Sequence, residues 1–559
     1  MLRNVAHPMT LVFSNFMNTS ISTSAPNRRR RAFLVGGGIA SLSAAVLLIR
    51  DGGFQGTDIF IFEEMQVAGG ALDGSGDAEA GYVTRGGRMW TEEAYVCLWN
   101  VLDSVPDRHG AGSLKDAVWD FNEALQSHAN ARLIDRQHRI LDAADLGFDA
   151  RDRLDVLRLL ATPERMLGAE RIEDCFTEHF FNSNFWAMWR TTFAFQNWHS
   201  AVEMRRYLLR FLQELPRIHT LAGVRRTALN QYDSIVRPMQ DWLAGQGVTF
   251  QFGNKVVDMD FEDFAEMTEV ARNTDGLRVT AIHCNRGDEF FLHQVGPDDL
   301  VFATLGSMTA DTRIGDNDHA PALWRDKRDG GWTLWENLAR KVPTLGRPET
   351  FNGNVDESKW ESFTVTLRSP LLVKRIEAYS GNGPGTGGLM TFKDSPWLMS
   401  IVVPHAPHFA GQPEGVYTIW GYGLFIDKKG DYVDKSMAES SGEEILTELM
   451  HQLGFEDILE EVRRTSTVIP VMLPYITSQF ERREPTDRPA VVPGGTRNFA
   501  VLGQYVEIPE DVVFTVEYSV RSAMHAVYGL LHLKNEIPAI YHGAVHPKVA
   551  LESFKALML

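Results

Sequence analysis

A glycine turn between two apolar segments is the first feature of the sequence that could carry chemistry. Gly36, Gly37 and Gly38 follow the apolar residues 33–35 and precede a small-residue helical pattern over residues 39–48. A second apolar run ends in Glu63. Strand, glycine turn, helix, strand and acid follow one another as in a βαβ unit whose turn binds the pyrophosphate of a dinucleotide.

Each position of this motif has a physical role. Gly36 and Gly38 let the backbone turn tightly and approach the pyrophosphate. Ser41 stands where a third glycine is usual, and it is small enough for close packing of the helix on the strand. Glu63 is placed to bind a ribose hydroxyl. The motif predicts dinucleotide binding; the alternative is a βαβ core unit without a ligand.

The composition narrows the class of protein. A chain of 559 residues is too long for one ordinary domain. Its formal net charge of −18 argues against a nucleic-acid partner, because phosphate binding needs a basic surface. Cys97, Cys175 and Cys284 are widely separated and form no metal-binding pattern, so we expect no metal and a reducing, cytoplasmic compartment. No apolar run approaches the roughly 20 residues of a membrane span.

The hydrophobic pattern divides the chain into segments that alternate between two units. Apolar runs over residues 248–252 and 299–304 are predicted strands. We expect a disordered extension over residues 1–29 and a helical tail over residues 536–559. The dinucleotide unit is predicted from residues 30–106, 236–330 and 466–535, and a substrate domain from the helix-rich residues 107–235 and the mixed residues 331–465. Flavoproteins of the two-dinucleotide-binding-domain type are assembled in this way.

Several long blocks further along the chain are more specific than the glycine turn. They are Gly69–Gly74 followed by Arg85–Arg88, then Phe193–Glu203, Thr391–Ser395, Pro474–Phe480, Gly503–Pro509 and Val513–Arg521. On these blocks the sequence resembles the fatty acid hydratases, the oleate hydratase family once called myosin-cross-reactive antigens. The resemblance extends from residue 32 to about residue 550.

The resemblance implies both a fold and an activity. The fold is α/β: a FAD-binding Rossmann-like flavoprotein domain, an inserted mixed α+β substrate domain and a helical C-terminal part. The activity is that of a hydro-lyase, which adds water to the cis-9 double bond of oleic and related unsaturated fatty acids to give 10-hydroxy fatty acids. FAD is required without net redox change. Two alternatives stay open: a redox flavoprotein of the amine oxidase or desaturase type, and a non-catalytic protein that binds flavin and lipid.

Hydration of an isolated alkene needs a proton donor and a group that holds the attacking water. The resemblance implies Tyr207 as the proton donor, and the helical spacing of Met204, Tyr207 and Phe211 places it on a buried stripe. Met89 stands where the family has a water-activating glutamate, and methionine cannot take a proton. We expect another arrangement to replace the glutamate, with Glu92, one helical turn away, as its candidate.

The substrate carboxylate is held in the family by a threonine, an asparagine and a histidine. Only the histidine is matched here, by His408. Val402 and Pro404 occupy the other two positions, and neither side chain donates a hydrogen bond. Head-group binding is therefore expected to differ from the family pattern. Gln231 matches a position that lines the family's substrate channel.

The remaining expectations concern the cofactor and the partners. Peripheral membrane contact through an apolar face of the C-terminal tail, with Leu551 and Phe554, is a further expectation. A monomer and a homodimer are both open. The resemblance implies a further set of FAD contacts, namely Gly70, Arg85, Gly86, Gly87, Arg88, Val257 (or its neighbour Val256), Ser307 and Gly503.

Overall fold

The computed structural model describes residues 29–87, 89–108, 110, 112–262, 276–325 and 329–558. Most of the predicted N-terminal extension and the predicted cofactor residue Arg88 lie outside these residues. None of the described helices combines the length and the apolar character needed to cross a bilayer.

The strands alternate with helices along the chain, which is the order expected of an α/β fold. In chain order they are β1 (Ala32–Val35), β2 (Ile59–Glu63), β3 (Ser75–Asp77), β4 (Gly81–Val83), β5 (Leu133–Ile134), β6 (Thr249–Phe252), β7 (Lys255–Phe261), β8 (Val279–Arg286), β9 (Glu289–Gln294), β10 (Leu300–Thr304), β11 (Arg313–Ile314), β12 (Trp360–Leu367), β13 (Met390–Phe392), β14 (Met399–Val402), β15 (Tyr417–Gly423), β16 (Ser466–Leu473) and β17 (Phe499–Leu502).

The α-helices of the described residues are concentrated between β5 and β6 and around the second sheet. They are Ile39–Arg50, Val96–Leu102, Leu114–Ala124, Ala150–Ala161, Glu164–Leu167, Ile172–Cys175, Glu178–Asn182, Asn184–Phe193, Ala201–Arg210, Arg237–Gly245, Gly330–Lys341, Glu349–Asn352, Val355–Ser358, Leu371–Ser380, Gly442–Leu453, Leu459–Thr465, Val516–Leu531 and Pro547–Met558.

Five of the described strands form a parallel sheet in the order β17-β10-β1-β2-β6. Val35 aligns with Phe62 on one side and with Ala303 on the other, so these strands end at the same edge. The strands are short apolar runs, as expected when helices cover both faces of a parallel sheet. Helix Val516–Leu531 packs against helix Ile39–Arg50 beside this sheet. The strands predicted at residues 248–252 and 299–304 are confirmed as β6 and β10.

Seven of the described strands form a second, mostly antiparallel sheet in the order β11-β16-β12-β15-β14-β13-β5. The sequence predicts residues 466–535 as part of the dinucleotide unit, but β16 pairs with β12 in this second sheet, with Val468 opposite Val365. That prediction is corrected for residues 466–473. An apolar strand buried on both faces fits either sheet, and its own residues do not say which.

The two faces of the second sheet are covered differently. Helices Leu371–Ser380 and Gly442–Leu453 pack on one face. On the other face lies an apolar group that we call the Trp420 cluster. Its buried members are Val83, Ala194, Leu221, Met308, Trp360, Leu389, Leu398, Trp420, Tyr422, Leu424, Ile469, Val471, Leu473 and Ile476, with Ala71, Met89, Val224, Val402, Phe425 and Phe514 packed against them.

Candidate active site

A cavity of about 740 Å³ opens at the carboxyl ends of β1, β2 and β10. Ligands of open α/β sheets bind at this edge. Its lining includes seven of the residues predicted to contact the cofactor, namely Gly36, Gly38, Glu63, Gly70, Arg85, Ser307 and Gly503. The structure therefore brings together residues that are more than 460 positions apart in the sequence.

The glycine turn forms the floor of this cavity. Gly36 has a φ of +88°, and a Cβ at this residue would lie 3.2 Å from the Cβ of Thr304. Gly38 is the N-cap of helix Ile39–Arg50, and no side chain caps that end. The first N–H groups of the helix are thus left available to an anion, at the positive end of the helix dipole. Ser41 is buried behind the turn, 3.4 Å from the Thr304 hydroxyl, where it permits close packing.

Glu63 is held rigidly at the end of β2. Its Oε2 accepts a hydrogen bond from the Gly37 N–H at 2.6 Å, and its Oε1 accepts one from the Met65 N–H at 2.7 Å. Burial raises the pKa of Glu63, and the two backbone bonds oppose this rise. A carboxylate fixed beside the glycine turn is suited to accept hydrogen bonds from a ribose.

Three helices of the described chain begin at the cavity wall: Ile39–Arg50, Gly330–Lys341 and Val516–Leu531. Their N-terminal dipoles favour an anionic ligand between them. Arg85 adds a cation, which is fixed by Asp73 at 2.7 Å and by the Gly70 carbonyl at 2.8 Å. The wall thus combines backbone groups with an oriented guanidinium, that of Arg85.

Some predicted cofactor residues do not line this cavity. Gly86 and Gly87 lie outside its lining, although Gly87 approaches the Trp420 ring. Val256 lines the cavity and Val257 does not; the Val257 carbonyl instead accepts a hydrogen bond from Asn337 Nδ2 at 2.7 Å. The register of β7 shifts between Val256 and Asp258, and of the two valines only Val256 lines the cavity.

Tyr207 lies in helix Ala201–Arg210 and is only 1% exposed. Its ring is enclosed by the rings of Phe193, Phe195, Phe211 and Phe480, with centroid distances of 5.0 to 5.6 Å. Its hydroxyl donates a hydrogen bond to the Val513 carbonyl at 2.5 Å. Burial raises the pKa of Tyr207 well above the usual value, so the phenol keeps its proton.

The segment Val513–Thr515 connects Tyr207 to the cavity. The Val513 carbonyl accepts the hydrogen bond of the Tyr207 hydroxyl. The next residue, Phe514, lines the cavity and packs against the Trp420 cluster. Phe514 has a φ of +68°, and its N–H donates to Gln504 Oε1. A non-glycine residue in the left-handed region is strained, and such strain is concentrated at functional sites. The tyrosine hydroxyl is therefore one residue away from the cofactor cavity.

Met89 and Glu92 are in different environments. Met89 is half-buried against the Trp420 cluster, together with Val402 and Phe514. Glu92 has a side chain that is 58% exposed and paired with Arg225 at 2.7 Å. The structure thus places Glu92 at the surface, outside the apolar pocket around Met89. Met89 and Glu92 are not one helical turn apart, as the sequence predicted, because residues 89–95 are not helical.

His408 lies beside two other basic side chains. Its Nδ1 is buried without a hydrogen-bond partner among the described residues. Burial, together with the neighbouring His405 and Arg226, lowers its pKa to about 4. Gln231 is buried and donates to Thr227 Oγ1 at 3.4 Å. Val402 ends β14 opposite Trp420, and Pro404 follows it in the loop.

Comparison with known proteins assigns the chain to a family. The model of the MCRA family matches residues 29–528. The chain belongs to the MCRA family. It is 37% identical to an oleate hydratase of Streptococcus pyogenes serotype M49 over 94% of this chain and 89% of that protein. It is 33% identical to a linoleate hydratase of Lactiplantibacillus plantarum over 89% of this chain and 93% of that protein.

The fold of this MCRA-family chain also occurs in a distant solved structure. A protein assigned as a protoporphyrinogen oxidase, from Exiguobacterium sp. 255-15, superposes with a TM-score of 0.50 at 11% identity, covering 90% of this chain and 99% of that protein. At this identity the likeness concerns the fold alone. The predicted mixed α/β architecture with a dinucleotide-binding unit is confirmed.

Asp329 and Lys255 are among the cavity residues of this MCRA-family chain that were not anticipated from its sequence. Asp329 caps helix Gly330–Lys341 by accepting from the Trp332 N–H at 3.2 Å, and burial together with Glu64 raises its pKa to about 7. Lys255, at the start of β7, also lines the cavity. An acidic N-cap followed by Gly330 and Gly331 is a helix-start signal that could have indicated the first of them.

Proposed function

We propose that this protein is a hydro-lyase that adds water to the cis-9 double bond of oleic acid and related unsaturated fatty acids, giving 10-hydroxy fatty acids. The observation that carries the proposal is the position of the Tyr207 hydroxyl. It is enclosed by aromatic rings and joined through Val513 to Phe514, which lines the cofactor cavity. The names of the two relatives, oleate hydratase and linoleate hydratase, support the substrate class.

We propose FAD as the dinucleotide. The described lining fits its parts: the uncapped N-terminus of helix Ile39–Arg50 suits the pyrophosphate, Glu63 suits a ribose and Val256 offers an apolar contact to an adenine. Gly70 and Gly503 leave room for a flat ring system to approach the backbone. When bound, the flavin would supply a planar, polar wall to the pocket in which the double bond lies.

Tyr207 is the group that protonates the alkene in this proposal. Its phenolic proton moves to C9, and the positive charge that develops at C10 is captured by a water oxygen. A proton of that water then returns to the phenolate, so that water is added overall and nothing is oxidised or reduced. The aromatic enclosure of Tyr207 excludes bulk water, and general acid catalysis contributes about 10²–10⁴-fold to a rate.

The attacking water must be held without a carboxylate at position 89. Met89 cannot accept its proton, and Glu92 is exposed and paired with Arg225. We infer that neutral acceptors hold the water, with the Val513 carbonyl, which accepts the hydrogen bond of the Tyr207 hydroxyl, as one candidate. The chain thus supplies Tyr207 as the proton donor and only neutral acceptors for the attacking water, so we expect a base at position 89 to speed the attack of water.

The experiment is incubation with oleic acid, FAD and a reductant in ¹⁸O-labelled water, followed by mass spectrometry of the lipid. We expect one labelled oxygen in a 10-hydroxy acid from the unchanged protein and none from the Tyr207→Phe variant. A keto or dehydrogenated lipid, or peroxide, would support a redox flavoprotein. Fatty acid binding without any product would support a non-catalytic lipid-binding protein, the reading that Met89 favours.

We also propose that the protein takes its substrate from a bilayer surface through its last helix. Helix Pro547–Met558 packs on the body of the protein, where Ser553 Oγ donates to the Leu212 carbonyl at 2.8 Å and Leu557 is buried. Leu551, Phe554 and Met558 are about half exposed. A docked helix with an exposed apolar stripe is suited to lie in a lipid interface.

A further inference from the structure

One arginine near the predicted head-group region has no carboxylate partner. Among the described residues, none lies within salt-bridge distance of Arg226, and its Nη2 is buried without a hydrogen bond. Its Nε donates to Ser127 Oγ at 3.1 Å. Burial lowers the pKa of Arg226 to about 10, and no acid compensates. Buried Arg521, in contrast, pairs with Asp511 and with Glu517, each at 2.9 Å.

Two imidazoles lie near the Arg226 side chain. His408, whose Nδ1 also lacks a described partner, and His405 both interact electrostatically with this site. The guanidinium lies against Gly387: a Cβ on that glycine would be 2.6 Å from Arg226 Cζ. Gly387 also has a φ of +67°. A larger residue is therefore disfavoured there both by the contact with Arg226 and by the backbone conformation. Arg226 Nη2 and His408 Nδ1 are both buried without a hydrogen-bond partner among the described residues, which indicates a ligand that carries negative charge.

The sequence neighbours of Arg226 contact the region where the substrate is proposed to bind. Its neighbour Arg225 pairs through its backbone with Trp90, which follows Met89. Val224 packs on the Trp420 cluster, as do Met89 and Val402. Gln231 is five residues further along the chain. The segment that carries Arg226 thus adjoins the apolar cluster in which the alkyl chain would lie.

We propose that Arg226 binds the carboxylate of the substrate fatty acid, in place of the donors that Val402 and Pro404 cannot supply. The inference rests on the proposed function only in taking the anion to be a fatty acid. A guanidinium forms two parallel hydrogen bonds to a carboxylate, which fixes its orientation as well as its position. His408 supplies a third contact, from a ring nitrogen, when its neutral tautomer carries the proton on Nδ1.

The experiment compares the holoenzyme with Arg226→Gln, Arg226→Lys and a matched control, Arg237→Gln. Arg237 has a side chain that is 55% exposed, and its loss removes the same charge. Each protein is assayed with oleic acid and with oleamide, which has the same alkyl chain and no charge. We expect Arg226→Gln to raise KM for oleic acid by roughly tenfold to a hundredfold and to leave KM for oleamide unchanged. Arg226→Lys should be intermediate, and Arg237→Gln should behave as the unchanged protein.

Two results would overturn the assignment. One is an unchanged KM for oleic acid in Arg226→Gln. The other is an equal rise in KM for both substrates together with a lower Tm, which would indicate a structural role. If the unchanged protein hydrates neither substrate, the proposed function fails, and displacement of a fluorescent fatty acid by oleic acid then tests Arg226 by binding alone. Equal displacement from the unchanged protein and from Arg226→Gln would reject the assignment.

Discussion

The two sides of the candidate site are built from different parts of the chain. The dinucleotide side consists of glycines and helix N-termini, so backbone groups do most of the binding. The proposed alkene side consists of side chains, with Met89 packed against the Trp420 cluster and Tyr207 enclosed by aromatic rings. A site made from backbone tolerates exchange of its side chains, whereas a site made from side chains changes with each of them.

The largest effect is expected at the one side chain on which the alkene side depends. Tyr207→Phe removes the proton donor but keeps the ring packing, so we expect kcat to fall by about 10²–10⁴-fold. Bound flavin absorbance and Tm are measured in parallel and should stay close to those of the unchanged protein. Tyr432→Phe, at an exposed tyrosine, is the matched control. A Tyr207→Phe variant with ordinary turnover would remove Tyr207 from the mechanism.

The glycine turn of the dinucleotide side should be sensitive to an added side chain. Gly36→Val adds a side chain at a φ of +88° and against Thr304, so we expect FAD affinity to fall by roughly a hundredfold, as for a bulky group forced into a tight turn. Titration with FAD, followed by flavin fluorescence, measures it. Gly245→Ala, where a Cβ meets no atom within 4 Å, is the control. Equal affinity in both variants would show that the turn does not contact the cofactor.

Introducing a carboxylate at position 89 tests whether the alkene side lacks a base for the attacking water. Met89→Glu places a carboxylate beside the Trp420 cluster, where it can take a proton from the attacking water, and we expect kcat to rise by about tenfold. Met89→Gln, of the same shape without a base, should give no gain. If the two variants hydrate oleic acid at the same rate, water is held elsewhere in the pocket.

Acid should destabilise the folded protein through two buried histidines. The pKa values of His199 and His408 are lowered by burial to about 3 and about 4. Below the unfolded pKa of about 6.5 only the unfolded chain takes up these protons, so the free energy of unfolding falls by about 1.4 kcal/mol per pH unit for each histidine down to about pH 4. Denaturant unfolding between pH 7 and pH 4.5 measures this slope.

Replacing His199 tests how much this residue contributes to the pH dependence of the free energy of unfolding. His199→Asn keeps an acceptor for the Gln196 N–H, which His199 Nδ1 now receives at 3.0 Å, and should reduce the slope by one proton. His319→Asn, at an exposed histidine that faces Asp316, serves as the comparison. An undiminished slope in His199→Asn would mean that His199 is already protonated in the folded protein.

The smallest effect is expected at the surface, away from both sides of the site. Leu551→Ser combined with Phe554→Ser makes the exposed stripe of the last helix polar and leaves the buried Leu557 unchanged. We expect a loss of about threefold to tenfold in the rate on vesicle-borne oleic acid, because less apolar surface enters the interface. The rate on detergent-dispersed oleic acid is the control. An equal loss on both substrates would contradict a role in membrane contact.

Local patterns were sufficient wherever the chemistry depends on neighbouring residues. The turn at Gly36–Gly38, the acid at Glu63 and the buried stripe with Tyr207 all follow from short-range periodicity and from the backbone freedom of glycine. The strands β6 and β10 could likewise be identified from their apolar runs.

Long-range contacts, in contrast, depend on how distant segments meet. β16 joins the second sheet because β12 accepts it as a partner, which none of its own residues reveals. Glu92 faces solvent beside Arg225, and Val256 rather than Val257 faces the cavity, because of how the surrounding chain orients them. Arg226 was not distinguished from its neighbour in the sequence. Whether an arginine has a carboxylate within reach depends on the tertiary structure. The packing of the chain around Gly387 and His408 leaves Arg226 without an ion pair among the described residues.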